Sequence, residues 1–383
     1  MTSPTTIMVL MGTRPEGIKL APVVRELAKF PADFHPVVVS STQHREMLDD
    51  VLDLFGIVPD EDLQVMEESQ DLYHIASTIL IRLKEVLARH NPRVVLVQGD
   101  TSTTAVGALA GFYHGALVGH VEAGLRTHDK TNPFPEEMNR RLTGVLADYH
   151  FVASPQAAEN LLREGVSKEA IHLTGNTVVD ALQIVRRLGP NPEVADGLPT
   201  LDPSRRLLLV TAHRRESFGR PLRDICRALV RLTKTHDDVE ILYPVHPNPN
   251  VRSVVREVLT EVPRIHCVEP LDYRTFVHFM DQASLILTDS GGIQEEAPYL
   301  ATPVLVLREK TERTEALELG TSFMVGTDPD RIVAEASRLL SDEKAYRAMV
   351  ASGQPYGDGR AAERIVQILR DSLKHRTLER MHG

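Results

Sequence analysis

A chain of 383 residues, 42% hydrophobic and 25% charged, has the balance of a globular protein and the length for two domains rather than one core. Its formal net charge of −10 argues against nucleic acid as the main partner, because a phosphate backbone attracts basic surfaces, yet leaves room for a small anion held by a local cluster of Arg, Lys and helix N-termini. The two cysteines, Cys226 and Cys267, each lie in an apolar run; they are expected to be buried free thiols, and nothing calls for an oxidising compartment.

Residues 7–11 form a short apolar run with no basic region before it and no small-residue cleavage site after it, which predicts a strand and not a signal peptide. No apolar run approaches the ~20 residues that span a bilayer, so no membrane association is expected and the protein is read as cytoplasmic. Further strands are predicted at 36–40, 94–98, 117–121, 149–153 and 171–173, with amphipathic helices at 72–89, 156–164 and 178–188. These strands are apolar throughout rather than alternating, which suits a parallel sheet covered on both faces. Residues 189–203, with four prolines, two glycines and three acids, read as a linker. The alternation resumes with strands at 207–211, 241–244, 265–268, 285–288 and 304–307 and helices at 331–340 and 361–373. The expectation is an α/β protein of two doubly wound, Rossmann-like domains facing a cleft: residues 1–188 with a C-terminal helix at about 361–380, and residues 204–360.

Chemistry-bearing residues fall at the carboxyl ends of the predicted strands, where such folds bind ligands. Arg14 and Lys19 follow the Gly12 turn in or near the first turn of a helix, where cations oppose the dipole, so they read as offered to an anion or, alternatively, as solvated surface charges. Asp100 follows Gly99 and, from position alone, serves equally well as a helix cap. Glu122, ending a buried strand before Gly124, is harder to explain as a cap. Glu136 and Glu137 fall in a helix's first turn, and Glu136 has i,i+4 spacing to Arg140, so a structural account of Glu136 exists. His213 is flanked by Arg214 and Arg215, whose charges would disfavour its protonated form. The run Asp289-Ser290-Gly291-Gly292 ends a strand and starts a helix, so backbone N–H groups could approach phosphate oxygens. Glu296, one turn on, could accept from ribose hydroxyls, and Arg313 adds a cation. There is no Walker A sequence, no GxGxxG, no HExxH and no CxxC, so no cofactor and no metal is expected.

The runs GTRPEGIKLAPV, STQHREMLD, VLVQGDTSTT, GHVEAGLRT, NPFPEEMNRRLTG, HRRESFG, LTDSGGIQEEAP and TERTEA, spread over about residues 6–370, resemble the non-hydrolysing bacterial UDP-N-acetylglucosamine 2-epimerases. Each run is weak alone; together, in order and at the family's spacing, they are specific. The resemblance implies a GT-B-like fold whose last helix crosses back to the first domain, and an isomerase that makes UDP-N-acetylmannosamine for cell-surface polysaccharide precursors. It implies an active site lined by Arg14, Lys19, Asp100, Glu122, Glu136 and His213, and UDP contacts from Phe276, Ser290, Gly291, Gly292, Glu296 and Arg313. It also implies a homodimer and an allosteric UDP-N-acetylglucosamine site using Gln43, His44, Gln70 and His246; Ser69 stands where some members have Arg, and Leu271 where a relative has a polar residue. A hydrolysing epimerase, a GT-B glycosyltransferase and a UDP-sugar-binding module without chemistry are the rival readings.

Overall fold

The computed structural model describes residues 3–41, 45–66, 71–195, 197–311, 313–351 and 353–382. In chain order the first part runs β1 (Thr5–Met11), α1 (Arg14–Leu27), β2 (Phe34–Ser40), α2 (Arg45–Phe55), β3 (Glu61–Asp62), α3 (Leu72–His90), β4 (Val94–Gln98), α4 (Ser102–His114), β5 (Leu117–Ala123), α5 (Glu136–Leu146), β6 (Tyr149–Val152), α6 (Pro155–Arg163), β7 (Ile171–Leu173) and α7 (Thr177–Arg186). It continues with α8 (Pro192–Ala195), β8 (Arg206–Thr211), α9 (Arg220–Thr235), β9 (Val239–Pro244), α10 (Pro249–Leu259), β10 (Ile265–Val268), α11 (Tyr273–Gln282), β11 (Leu285–Thr288) and α12 (Gly291–Glu296). The chain closes with β12 (Val304–Val306), α13 (Thr314–Glu318), β13 (Ser322–Met324), α14 (Pro329–Ser341), α15 (Glu343–Ala351) and α16 (Ala361–His382).

Two compact units result: Met1–Ala181 with Tyr356–Gly383, and Leu182–Pro355, so the division falls inside α7. The first holds a parallel sheet in the order β3-β2-β1-β4-β5-β6-β7, the second one in the order β10-β9-β8-β11-β12-β13. Each is doubly wound, with its strand order reversing beside the first strand, at β1/β4 and at β8/β11. The central strands form because their residues are apolar on both faces: Ile7 to Met11 and Leu208 to Val210 are essentially inaccessible. Side-chain caps start several helices, with Asp71, Thr101 and Ser154 accepting from backbone N–H groups three residues on.

The last helix belongs to the first unit. The Asp180 carboxylate accepts from the N–H groups of Ala361 (3.1 Å) and Ala362 (2.9 Å), capping α16, which then packs on α1. One sequence expectation needs correction, and two features were not anticipated. Cys226 is buried, but Cys267 is exposed, because β10 is an edge strand of its sheet. The predicted linker contains a short helix, α8. The strands β3 and β13 were not anticipated: one is a two-residue acidic segment, and the other holds three residues with Phe323 exposed. Among the described residues no helix is long and apolar enough to cross a membrane.

Candidate active site

In the first unit, the carboxyl ends of β1, β4 and β5 gather a set of carboxylates, each with distinct partners. Glu122 is the most constrained. The β5–β6 register shifts between Val121 and Ala123, and Glu122 itself adopts a left-handed backbone at φ 63°, a conformation that costs a non-glycine residue energy. Such a bulge re-aims a side chain. Here it brings the Glu122 carboxylate to Lys19 Nζ in a buried ion pair, with Gln98 Nε2 (3.0 Å) and Asn176 Nδ2 (3.4 Å) donating to the same oxygen. Lys19 therefore lies beyond the first turn of α1, and its anion within the unit is Glu122.

Asp100 is not a cap; Thr101 caps α4 instead. The Asp100 carboxylate is gripped by Arg140 through Nη2 (2.5 Å) and Nε (3.1 Å), and Asn139 Nδ2 donates to its backbone carbonyl (3.0 Å). Arg140 also reaches Glu137 (3.3 Å), not Glu136, so the i,i+4 account of Glu136 does not hold. Glu137 is fully buried and accepts from the Thr127 and His128 N–H groups, tying down the loop before α5. Glu136 stands half-buried at the start of α5. Arg14 is half-buried at the start of α1.

Two further residues of this cluster escaped the sequence reading. Glu16, almost wholly buried, accepts from Gly12 N (3.0 Å), Thr13 Oγ1 (2.8 Å), Thr101 Oγ1 (2.7 Å) and Thr104 Oγ1 (3.1 Å). It joins the turn after β1 to the turn after β4, which are the turns that carry Arg14 and Asp100. Burial raises its pKa above the ordinary carboxylate value, against the pull of those donors. The signal was legible, since Thr13-x-x-Glu16 is a capping-box spacing. His120, on β5, is buried with Nε2 2.7 Å from the Gly99 carbonyl, and burial holds its pKa down to about 3, so it is a neutral strut.

In the second unit the ends of β8 and β11 carry donors. His213 follows β8, and its ring stacks on His246 with centroids 5.1 Å apart. Its pKa is lowered, chiefly by burial; Asp289 opposes this, and His246 and Arg214 reinforce it. The direction is the one expected, but burial outweighs the arginine. Ser290 precedes α12, and Gln294 Nε2 donates back to its carbonyl (3.1 Å). Glu296 is buried and oriented by the Tyr273 hydroxyl (2.6 Å), and Arg313 pairs with Glu295 (2.5 Å). Phe276 is half-buried on α11. Gln43, His44 and Gln70 lie outside the described residues. Among the described residues no three His, Cys, Asp or Glu side chains gather as a metal ion would require.

Two doubly wound units, one presenting carboxylates and the other imidazole, guanidinium and a glycine turn at the strand ends, give the two-domain Rossmann-like architecture of GT-B-like proteins. The profile of the family described as UDP-N-acetylglucosamine 2-epimerase matches residues 25–370, and the chain belongs to that family. It is 52% identical to the UDP-N-acetylglucosamine 2-epimerase of Escherichia coli K12 over 96% of this chain and 98% of that protein. A crystal structure of a putative UDP-N-acetylglucosamine 2-epimerase from Listeria monocytogenes superposes with TM-score 0.90 at 44% identity, covering 97% of each chain. That of the Neisseria meningitidis enzyme bound to UDP-GlcNAc gives TM-score 0.88 at 41% identity, covering 95% of this chain and 99% of the other. The chain is an epimerase, and thus an isomerase.

Proposed function

We infer that the chain interconverts UDP-N-acetylglucosamine and UDP-N-acetylmannosamine by eliminating and re-adding UDP. Carbon 2 of this sugar bears hydrogen and an acetamido nitrogen with no adjacent carbonyl carbon, so its proton is too weakly acidic for direct removal. In the elimination route the C1–O bond breaks and its electron pair leaves with UDP. A carboxylate takes the C2 proton, and the C2–H electron pair forms the C1=C2 bond of 2-acetamidoglucal. In the reverse sense a proton reaches C2 on the opposite face and a UDP oxygen rejoins C1. Atoms and charge balance, and no redox partner is needed.

The single observation that carries this reading is the buried Glu122 carboxylate, aimed by a strained backbone and held by Lys19, Gln98 and Asn176 at a strand end. Asp100, Glu122 and Glu136 are assigned proton exchange and stabilisation of the positive charge that develops at C1. Arg14, His213, Arg313 and the Ser290–Gly292 turn are assigned the departing diphosphate, and Phe276 and Glu296 the nucleoside. His246 with Gln43, His44 and Gln70 is assigned a second, regulatory nucleotide-sugar molecule. A cytoplasmic setting fits the two free cysteines.

The test is proton NMR in deuterated water. Incubation with UDP-N-acetylglucosamine should yield the manno isomer with deuterium at C2; free UDP accumulating in step with turnover would mean hydrolysis instead. The homodimer reading rests on exposed Ile81, Phe112, Tyr113, Leu142 and Val145 on α3, α4 and α5, neighbouring helices of the first unit. Sedimentation equilibrium should report twice the chain mass, and an Ile81→Asp/Val145→Asp double variant should report one; a monomeric wild-type protein sinks this part.

A further inference from the structure

The switch point of the second sheet holds an acid and an imidazole whose pairing has a chemical consequence. Asp289, at the end of β11, is fully buried. Its Oδ2 accepts from the backbone N–H groups of His213 (2.7 Å) and Arg214 (2.8 Å), which fixes the plane of the carboxylate. Its Oδ1 has no hydrogen bond among the described residues and lies 3.4 Å from His213 Nδ1. On the face of the His213 ring sits His246, nearly parallel at 9°. His246 Nδ1 accepts from the Asn248 N–H (3.2 Å), so its neutral ring carries the proton on Nε2.

We propose that Asp289 is the positioning residue of His213, holding it as the Nδ1–H tautomer so that Nε2 is the basic atom. A buried carboxylate oxygen left without a donor is costly, and Nδ1 is the ring atom beside it. The opposite tautomer would set two lone pairs against each other across 3.4 Å. Hydrogen bonds at catalytic sites are often this long before ligand binds and shorten in the complex. The groups facing His213 act in both senses: Arg214 and His246 disfavour charge on the ring, and Asp289 favours it. Of the groups around His213, Asp289 is the one that supports a proton on the ring, against the lowering by burial, His246 and Arg214. The imidazolium then offers Nε2–H as a donor. This deepens the reading given above and rests on it for the role of that donor at the departing diphosphate; the tautomer itself does not.

Histidine-selective ¹⁵N labelling of the full-length protein reads both rings, with signals assigned by His213→Gln and His246→Gln. The expected spectrum at neutral pH shows Nδ1–H at His213 and Nε2–H at His246. Nε2–H at His213 overturns the pairing, and this wild-type measurement decides even if Asp289→Asn does not fold. In Asp289→Asn the amide oxygen can keep both backbone N–H groups while its NH₂ faces Nδ1, so the His213 tautomer should reverse. Turnover should then fall by ~10²–10⁴-fold at a nearly unchanged KM, as tautomer reversal does in other acid–imidazole pairs. Wild-type turnover in Asp289→Asn also overturns the proposal. Full activity in His213→Gln with the expected wild-type tautomers would instead sink the catalytic assignment of His213 and leave the pairing standing.

Discussion

The two sheets share one wiring and carry opposite chemistry. Each reverses its strand order beside its first strand, and each brings two turns together at that point. In the first unit a buried acid, Glu16, joins the turns, and two further acids, Asp100 and Glu122, stand at neighbouring strand ends. In the second a buried acid, Asp289, again joins the turns, but what surrounds it is His213, Arg214 and the glycine turn after Ser290. The fold decides where a ligand meets the sheet; the residues in the turns decide what is done to it. On the proposed reading, a diphosphate suits the donors of one unit, and a carbon that loses its proton as positive charge develops beside it suits the acids of the other.

The largest expected effect separates those two tasks. Glu122→Gln keeps the shape and an acceptor for Lys19 but removes the proton-accepting charge. Turnover should drop by ~10²–10⁴-fold, the range of a lost general acid or base, while calorimetric affinity for UDP changes little. Substantial turnover in the variant would remove Glu122 from proton transfer. A large loss of UDP affinity would mean that the division of labour between the units is wrong.

A smaller effect tests whether a buried acid in the first unit must be chemical. Asp180 is a structural acid, capping α16, and burial is the main cause that lifts its pKa from 3.8 to about 6. Its folded pKa is the higher one, so the ionised form is disfavoured in the native state. Its stabilising contribution is complete below the unfolded value and is lost as pH rises through about 6. Urea unfolding of the wild type and Asp180→Asn across that window should show the wild type losing about 3 kcal/mol relative to the variant, with turnover at fixed pH unaffected so long as the helix stays docked. A pH-independent difference would show that Asp180 does not titrate there.

Most strands were legible because a parallel strand buried on both faces is a continuous apolar run; β4, β7, β10 and β11 match the sequence reading to the residue. The edge pieces were not, since Glu61–Asp62 has no apolar residue to betray it. At the site, position at a strand end marked Asp100, Glu122 and His213 as residues of interest. Their partners were beyond reach: Lys19 meets Glu122 across 103 residues, Arg140 meets Asp100 across 40, and Asp289 meets the His213 N–H across 76. Spacing rules see one helix or one turn, and these pairs exist only once the sheet is wound. The left-handed backbone of Glu122 likewise follows from the bulge in β5 rather than from any preference of glutamate.

The smallest predicted effect sets glycine against glycine. In the first unit Gly124 has φ 89°, and an added Cβ would stand 2.3 Å from the Ala157 carbonyl oxygen, so that glycine is there for the chain's own packing. In the second, a Cβ on Gly292 would meet only Ser290 Oγ, at 4.0 Å. Among the described residues nothing else comes within 4 Å of that space, which agrees with the proposed diphosphate contact. Gly292→Ala should therefore melt within ~0.5 kcal/mol of the wild type, as a substitution into open space does. It should also bind UDP about tenfold more weakly, a loss of about 1.4 kcal/mol, because the methyl group intrudes where phosphate oxygens approach the backbone. Titration calorimetry with UDP and a thermal melt on the same sample check both halves. Unchanged UDP affinity would mean that the turn after β11 does not cradle the diphosphate, and the contrast between the two switch points would lose its second term.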